Sequence, residues 1–130
     1  MWYMTIDKTE FLKMLYDKIP DLNQVKVLEL QIYRNGDRVK LSLLLPFKID
    51  NLPEKWQKLK YDAAIMDLDL FNILNLNVNS KTNEYIVDIC IEKVNSDMII
   101  LKCMGGINME ILAEAGIIQE IRGCRVCEMR

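Results

Sequence analysis

The chain has 130 residues, enough for one domain with a sizeable core, and its 51% apolar and 28% charged residues are ordinary for a globular protein. A net charge of -2 and a pI near 5.2 argue against nucleic acid as a partner, because such binders usually carry a basic stripe. Histidine is absent altogether, which removes Ser-His-Asp and Cys-His catalysis and every imidazole metal site, and points away from an enzyme.

The opening stretch "MWYMTIDKTEF" lacks the basic start and apolar core of a secretory signal. No apolar run approaches the roughly 18 to 20 residues that span a bilayer, so a membrane is not an expected partner. The four cysteines then read as reduced thiols in a cytoplasmic protein. In "TIDKTEFLKMLYDKIP" the residues Phe11, Leu12, Met14, Leu15 and Ile19 recur at spacings of three and four, which predicts a helix capped by Asp7 or Thr9 and ended by Pro20. "KVLELQIYRNGDRVKLSLLLP" predicts a hairpin. Asn35-Gly36 suits a two-residue type I′ turn, whose central residues both need positive φ. That turn pairs Ile32 with Val39, Leu30 with Leu41 and Leu28 with Leu43, the register that the apolar alternation also requires.

Residues 46–60, "PFKIDNLPEKWQKLK", form a connector in which Trp56 stands among Lys55, Lys58 and Lys60. The ring is either folded onto the core edge with the lysines solvated, or a binding anchor, a role in which Trp is enriched. Period-2 alternation then resumes. Ala64, Met66, Leu68 and Leu70 oppose Ile65, Asp67 and Asp69; Leu74, Leu76 and Val78 oppose Asn75 and Asn77; Tyr85, Val87, Ile89 and Ile91 oppose Asp88, Cys90 and Glu92. "SDMIILKC", "NMEILAEA" and "IIQEIRGC" follow, with Gly105-Gly106 and Gly116 as breaks, and "MEILAEAG" also fits a helical turn. Nothing divides the chain, so residues 1–130 are expected to form a single α+β domain. An N-terminal helix packs on a curved, mainly antiparallel sheet, or small sandwich, of about seven or eight strands.

The "LPEKW" segment, from Pro53 to Trp56, resembles bacterial immunity proteins of the immunity protein 50 family, and the order of parts is similar too. "IPDLNQVKVLELQIYRNGDRVKLSLLLP" resembles that family's opening hairpin, "AAIMDLDLFNILNLNV" its middle strands and "INMEILAEAGIIQEIRGC" its closing pair. The resemblance implies a non-enzymatic cytoplasmic protein that neutralises a cognate toxin by binding it, with no cofactor. Such binding needs a rigid scaffold with aromatic anchors and complementary charge. The candidates for partner binding are Trp56, with Asp67 and Asp69 on one strand face and Asp88 and Glu92 on another; Glu110, Glu114 and Glu120 add negative charge.

Other constellations are weaker. Asp67 and Asp69 project to one side of a strand, yet no further ligands converge on them to make a metal or acid-base pair. Cys124 and Cys127 form a Cys-x-x-Cys that zinc would use only if Cys90 and Cys103 joined it. Gly105-Gly106 lacks the lysine of a phosphate loop and reads as a tight turn. A small-ligand-binding β protein, with Trp56 and Tyr61 lining its pocket, is the alternative function.

Overall fold

Alternating side chains produce six antiparallel strands among the described residues, which in this computed structural model are 1–33, 37–80 and 82–128. A 3-10 turn, Trp2–Met4, and a helix α1, Glu10–Leu15, precede β1, Leu22–Ile32, and β2, Arg38–Leu45. A short helix α2, Glu54–Lys58, leads into β3, Ala63–Ser80. Then come β4, Ile86–Asn95, β5, Met98–Gly105, β6, Ile107–Cys124, and a closing 3-10 turn, Val126–Glu128. The strands close into a barrel in the order β1-β2-β3-β6-β5-β4, with β4 returning to β1.

The antiparallel sheet is as expected, but the count of seven or eight strands is corrected to six. "AAIMDLDL" and "FNILNLNV" are one strand of 18 residues, and "NMEILAEA" and "IIQEIRGC" are another. Asn72 kinks β3 without ending it: its φ is 55°, a left-handed value that asparagine tolerates, and a register shift follows between Ile73 and Asn75. Gly116 is no break either. It lies inside β6 where a Cβ would stand 2.8 Å from Leu70 and 3.0 Å from Ile6, so the missing side chain lets the N-terminal segment lie close. That segment is pinned by Asp7, whose N–H donates to the Gly116 carbonyl while its own carbonyl accepts from the Ile118 N–H, both at 3.0 Å. Gly105, at φ +147°, makes the tight turn into β6.

The predicted helix is also shorter. It stops at Leu15 because Tyr16 turns extended and buries its ring, which leaves Met14 65% exposed and brings Ile19 to the core from a non-helical segment. The hairpin holds with one correction. Ile32 pairs with Val39 and Leu30 with Leu41, and the Tyr33 N–H donates to the Arg38 carbonyl at 3.0 Å, but Leu43 pairs with Val27 rather than Leu28. A bulge between Val27 and Glu29 absorbs Leu28, which packs outside the barrel on Leu44, Ala63, Ile65 and Cys124. The Asn35-Gly36 turn itself lies outside the described residues.

Leu41, Leu43, Met66, Leu68, Leu101 and Ile111 fill the barrel and are fully buried. Each such side chain contributes roughly 1.5–3 kcal/mol of burial free energy. Leu12, Leu15, Tyr16, Trp2 and Trp56 join the same core. The Trp2 indole N–H donates to the Pro20 carbonyl at 3.0 Å, which satisfies the polar edge of a buried ring.

Candidate functional site

The barrel presents two outer faces of different chemistry. The first runs over β2, the first half of β3 and the second half of β6. Here Ser42 faces Asp67 across one ladder, and Asp67 faces Glu120 across the other. Asp67 is 3% exposed; one oxygen accepts from the Ser42 hydroxyl at 2.6 Å and from Arg122 at 2.9 Å, and the other lies 3.9 Å from Lys40. Asp69 is completely buried and accepts from the Arg38 guanidinium at 2.6 Å. That guanidinium stacks 4.4 Å from the Tyr33 ring centre and 5.6 Å from that of Phe71. Asp69 Oδ1 and Arg38 Nε find no hydrogen-bond partner among the described residues.

These two carboxylates were expected on an open outward face. They do point out of the barrel, but side chains from β2 and β6 close over them. Their charges are spent on Arg38, Lys40 and Arg122, so neither offers a free carboxylate to a partner.

The second face spans β4, β5, the first half of β6 and the second half of β3. Cross-strand pairing lays side chains out in rows. Cys90, Lys102, Glu110 and Asn77 form one row, and Glu92, Ile100, Leu112 and Asn75 the next. Asp88 pairs with Met104, and Asn79 with Asn108. A groove of about 340 Å³ crosses this face, lined by Asn77, Asn79, Lys102, Met104, Asn108 and Glu110 among others. Met104 is 61% exposed within it. Asp88 and Glu92, two of the expected site residues, therefore share an outer face with Glu110 and Lys102. Asp88 is partly engaged, since it accepts from the Gln24 N–H at 2.8 Å and so holds the β1 bulge onto β4.

Trp56 lies apart from both rows. It is 9% exposed, edge-on to Phe11 at 5.7 Å and to Tyr61 at 6.3 Å between ring centres. A Cβ at Gly123 would stand 2.8 Å from the Trp56 ring and 2.3 Å from Tyr61, so both rings rest directly on the β6 backbone. Lys55, Lys58 and Lys60 are solvated around it. Trp56 is thus packed between Phe11, Tyr61 and the β6 backbone.

The cysteines are free and dispersed. Cys103 is inside the barrel, where burial pushes its thiol up to about 12, and burial raises Cys124 as well. Cys90, exposed, donates to Glu92 at 3.1 Å, which holds its thiol protonated above the usual range. Raised thiols are poor nucleophiles and poor metal ligands. Among the described residues no three His, Cys, Asp or Glu side chains converge as metal ligands, and no helix is long and apolar enough to cross a membrane.

A family model described as Immunity protein 50 matches residues 8–123. The chain belongs to the immunity protein 50 family. No curated protein and no solved structure matches it significantly. As an immunity protein it has a protein toxin as the general kind of partner. Within the family match lie both outer faces and the Trp56 plug. Sequence reasoning missed Lys102 and Met104, which the β4-β5 hairpin sets opposite Cys90 and Asp88, and Asn108, which β6 sets opposite Asn79. Asn75 and Asn77 were legible as a polar strand face, though not as a wall of a groove.

Proposed function

We propose that this immunity protein neutralises a cognate bacterial toxin in the cytoplasm by binding it directly, without catalysis, through the face of β4, β5 and the open halves of β3 and β6. The observation that carries this reading is the contrast between the faces: on the first, Asp67 and Asp69 are buried beneath Arg38, Lys40 and Arg122, whereas the second carries Asp88, Glu92 and Glu110 on its outer rows beside a groove lined by Glu110 and an exposed Met104. Exposed carboxylates around an apolar contact suit a partner surface rich in lysine or arginine, and opposite charge accelerates association. Trp56 serves this site at a distance by anchoring the connector on β6, and Asp67 and Asp69 serve it by fixing the scaffold.

The test is co-expression with the toxin domain encoded beside the gene, scored by growth and by co-purification. Rescue with a stable complex is expected. Glu92→Lys with Glu110→Lys should slow association at least about tenfold at low salt, an effect that shrinks as salt screens the charges. Glu54→Lys, on α2 away from this face, should leave the rate unchanged. Equal rates for both variants, with a toxin shown to be active, would move the interface elsewhere.

A further inference from the structure

We propose that the free edge of β3, residues 73–80, pairs with the same edge of a second copy of this chain, so that one sheet runs through a two-fold dimer. Barrel closure removes edges only where neighbouring strands have equal reach. β3 outruns β2: their register ends at Phe71 opposite Arg38, and the last backbone bond is from the Asn72 N–H to the Asp37 carbonyl at 2.8 Å. Beyond that point β3 pairs with β6 alone among the described residues. In an antiparallel ribbon alternate residues turn their N–H and C=O away from the partner strand, so this stretch presents unpaired backbone along a full strand length.

Edges left in solution are usually blunted by lysine, proline or inward charge. Here the edge reads "ILNLNVNS", with neither charge nor proline. The pattern is also its own complement. With Asn77 on the two-fold axis, Asn75 falls opposite Asn79 and Leu76 opposite Val78. An axis normal to the sheet keeps faces together, so amides meet amides outside and aliphatic groups meet inside. A charged edge would repel itself in this arrangement; this one does not. Pairing would also cover Leu74 and Val78, which are 52% and 37% exposed. One added strand buries less than the roughly 800 Å² per partner of a standard interface, so the dimer is weak and concentration-dependent. This inference stands independently of the toxin reading, although Asn77 and Asn79 belong to both surfaces.

Sedimentation velocity over a wide concentration range tests it. The wild-type mass should rise toward twice the monomer, and Asn77→Lys, which opposes two ammonium groups across the axis, should hold the protein monomeric with an unchanged fold by circular dichroism. Geometry gives a second readout. In a Cys90→Ser, Cys127→Ser background, Asn77→Cys should oxidise to a covalent dimer, whereas Asn75→Cys, whose counterpart is Asn79, should not. A constant monomer mass, or equal cross-linking of both variants, overturns the proposal. If the wild type stays monomeric and Asn77→Lys abolishes toxin capture, the edge belongs to a strand of the toxin instead.

Discussion

The two halves of β3 share one strand and one partner, β6, yet live in different environments. From Ala63 to Leu70 every residue is buried, on both faces of the sheet; from Ile73 to Ser80 all are exposed except Ile73 and Leu76, which are half-buried. The first half is flanked on both sides by strands and capped outside by Arg38, Arg122 and Lys40 over its two aspartates. Among the described residues the second half has one neighbouring strand, and it carries an outer row of asparagines. The difference teaches that polarity of a strand face says which side it lies on, not whether that side meets water. Asp67 and Asp69 act as a structural network because partners reach them; Asn75 and Asn77 stay exposed because no side chain among the described residues closes over them.

The contrast can be broken by substitution. Trp56→Ala should cost the most, about 3–5 kcal/mol, since it empties a buried aromatic site between Phe11, Tyr61 and Gly123. Urea unfolding measures this, and a cost within about 0.5 kcal/mol would mark the ring as peripheral and return it to the list of partner-binding residues. Ser42→Ala comes next. It takes a 2.6 Å donor from a carboxylate that is 3% exposed, and a hydrogen bond to a buried charge is worth about 1.5–3 kcal/mol.

Much of this architecture was legible in the chain. The paired residues Ile32 and Val39, and Leu30 and Leu41, follow from turn chemistry and alternation together, and the inward stripe of Ala64, Met66, Leu68 and Leu70 follows from alternation alone. Leu28 was misplaced because a bulge shifts register without leaving a glycine or proline as a mark. Two 18-residue strands looked like four because Asn72 and Gly116, ordinary break residues, here bend the ribbon and admit a close neighbour. The covering of Asp67 and Asp69 could not be read, since Arg38 and Arg122 are distant in sequence and meet them only when the barrel forms. The groove beside Met104 was hidden for the same reason, since Asn77 and Asn79 reach Lys102 and Met104 only across β6.

Tyr16, like Asp69 Oδ1 and Arg38 Nε, is a buried polar group without a hydrogen-bond partner among the described residues, and it tests the cost of enclosure from the opposite direction. Its ring is 2% exposed and its hydroxyl has no partner among the described residues. Burial, with Asp50 nearby, pushes its pKa from 10.0 to about 12. The folded state therefore keeps a proton that the unfolded chain releases, so this group's contribution is intact below pH 10 and lost as pH rises toward 12. Tyr16→Phe should stabilise by about 1 kcal/mol at neutral pH by removing an unpaired buried hydroxyl. It should also abolish the extra loss seen in the wild type above pH 10, as parallel unfolding curves of the two proteins would show.

The smallest expected effect is the most discriminating. Asn75 stands on the outer side of the open half, exposed and opposite Leu112, with no side-chain hydrogen bond among the described residues. Asn75→Ala should then change unfolding free energy by no more than about 0.5 kcal/mol, as exposed positions without special contacts do. Set beside Ser42→Ala, it compares two polar side chains on the outer surface of one barrel that differ only in whether neighbours enclose them. Equal costs would mean that the asparagine row is bound up in the fold, and the open half would lose its claim as the surface kept for a partner. Unequal costs leave polar residues there that folding does not require, and a loss of toxin binding with Asn75→Ala at unchanged stability would tie that freedom to recognition.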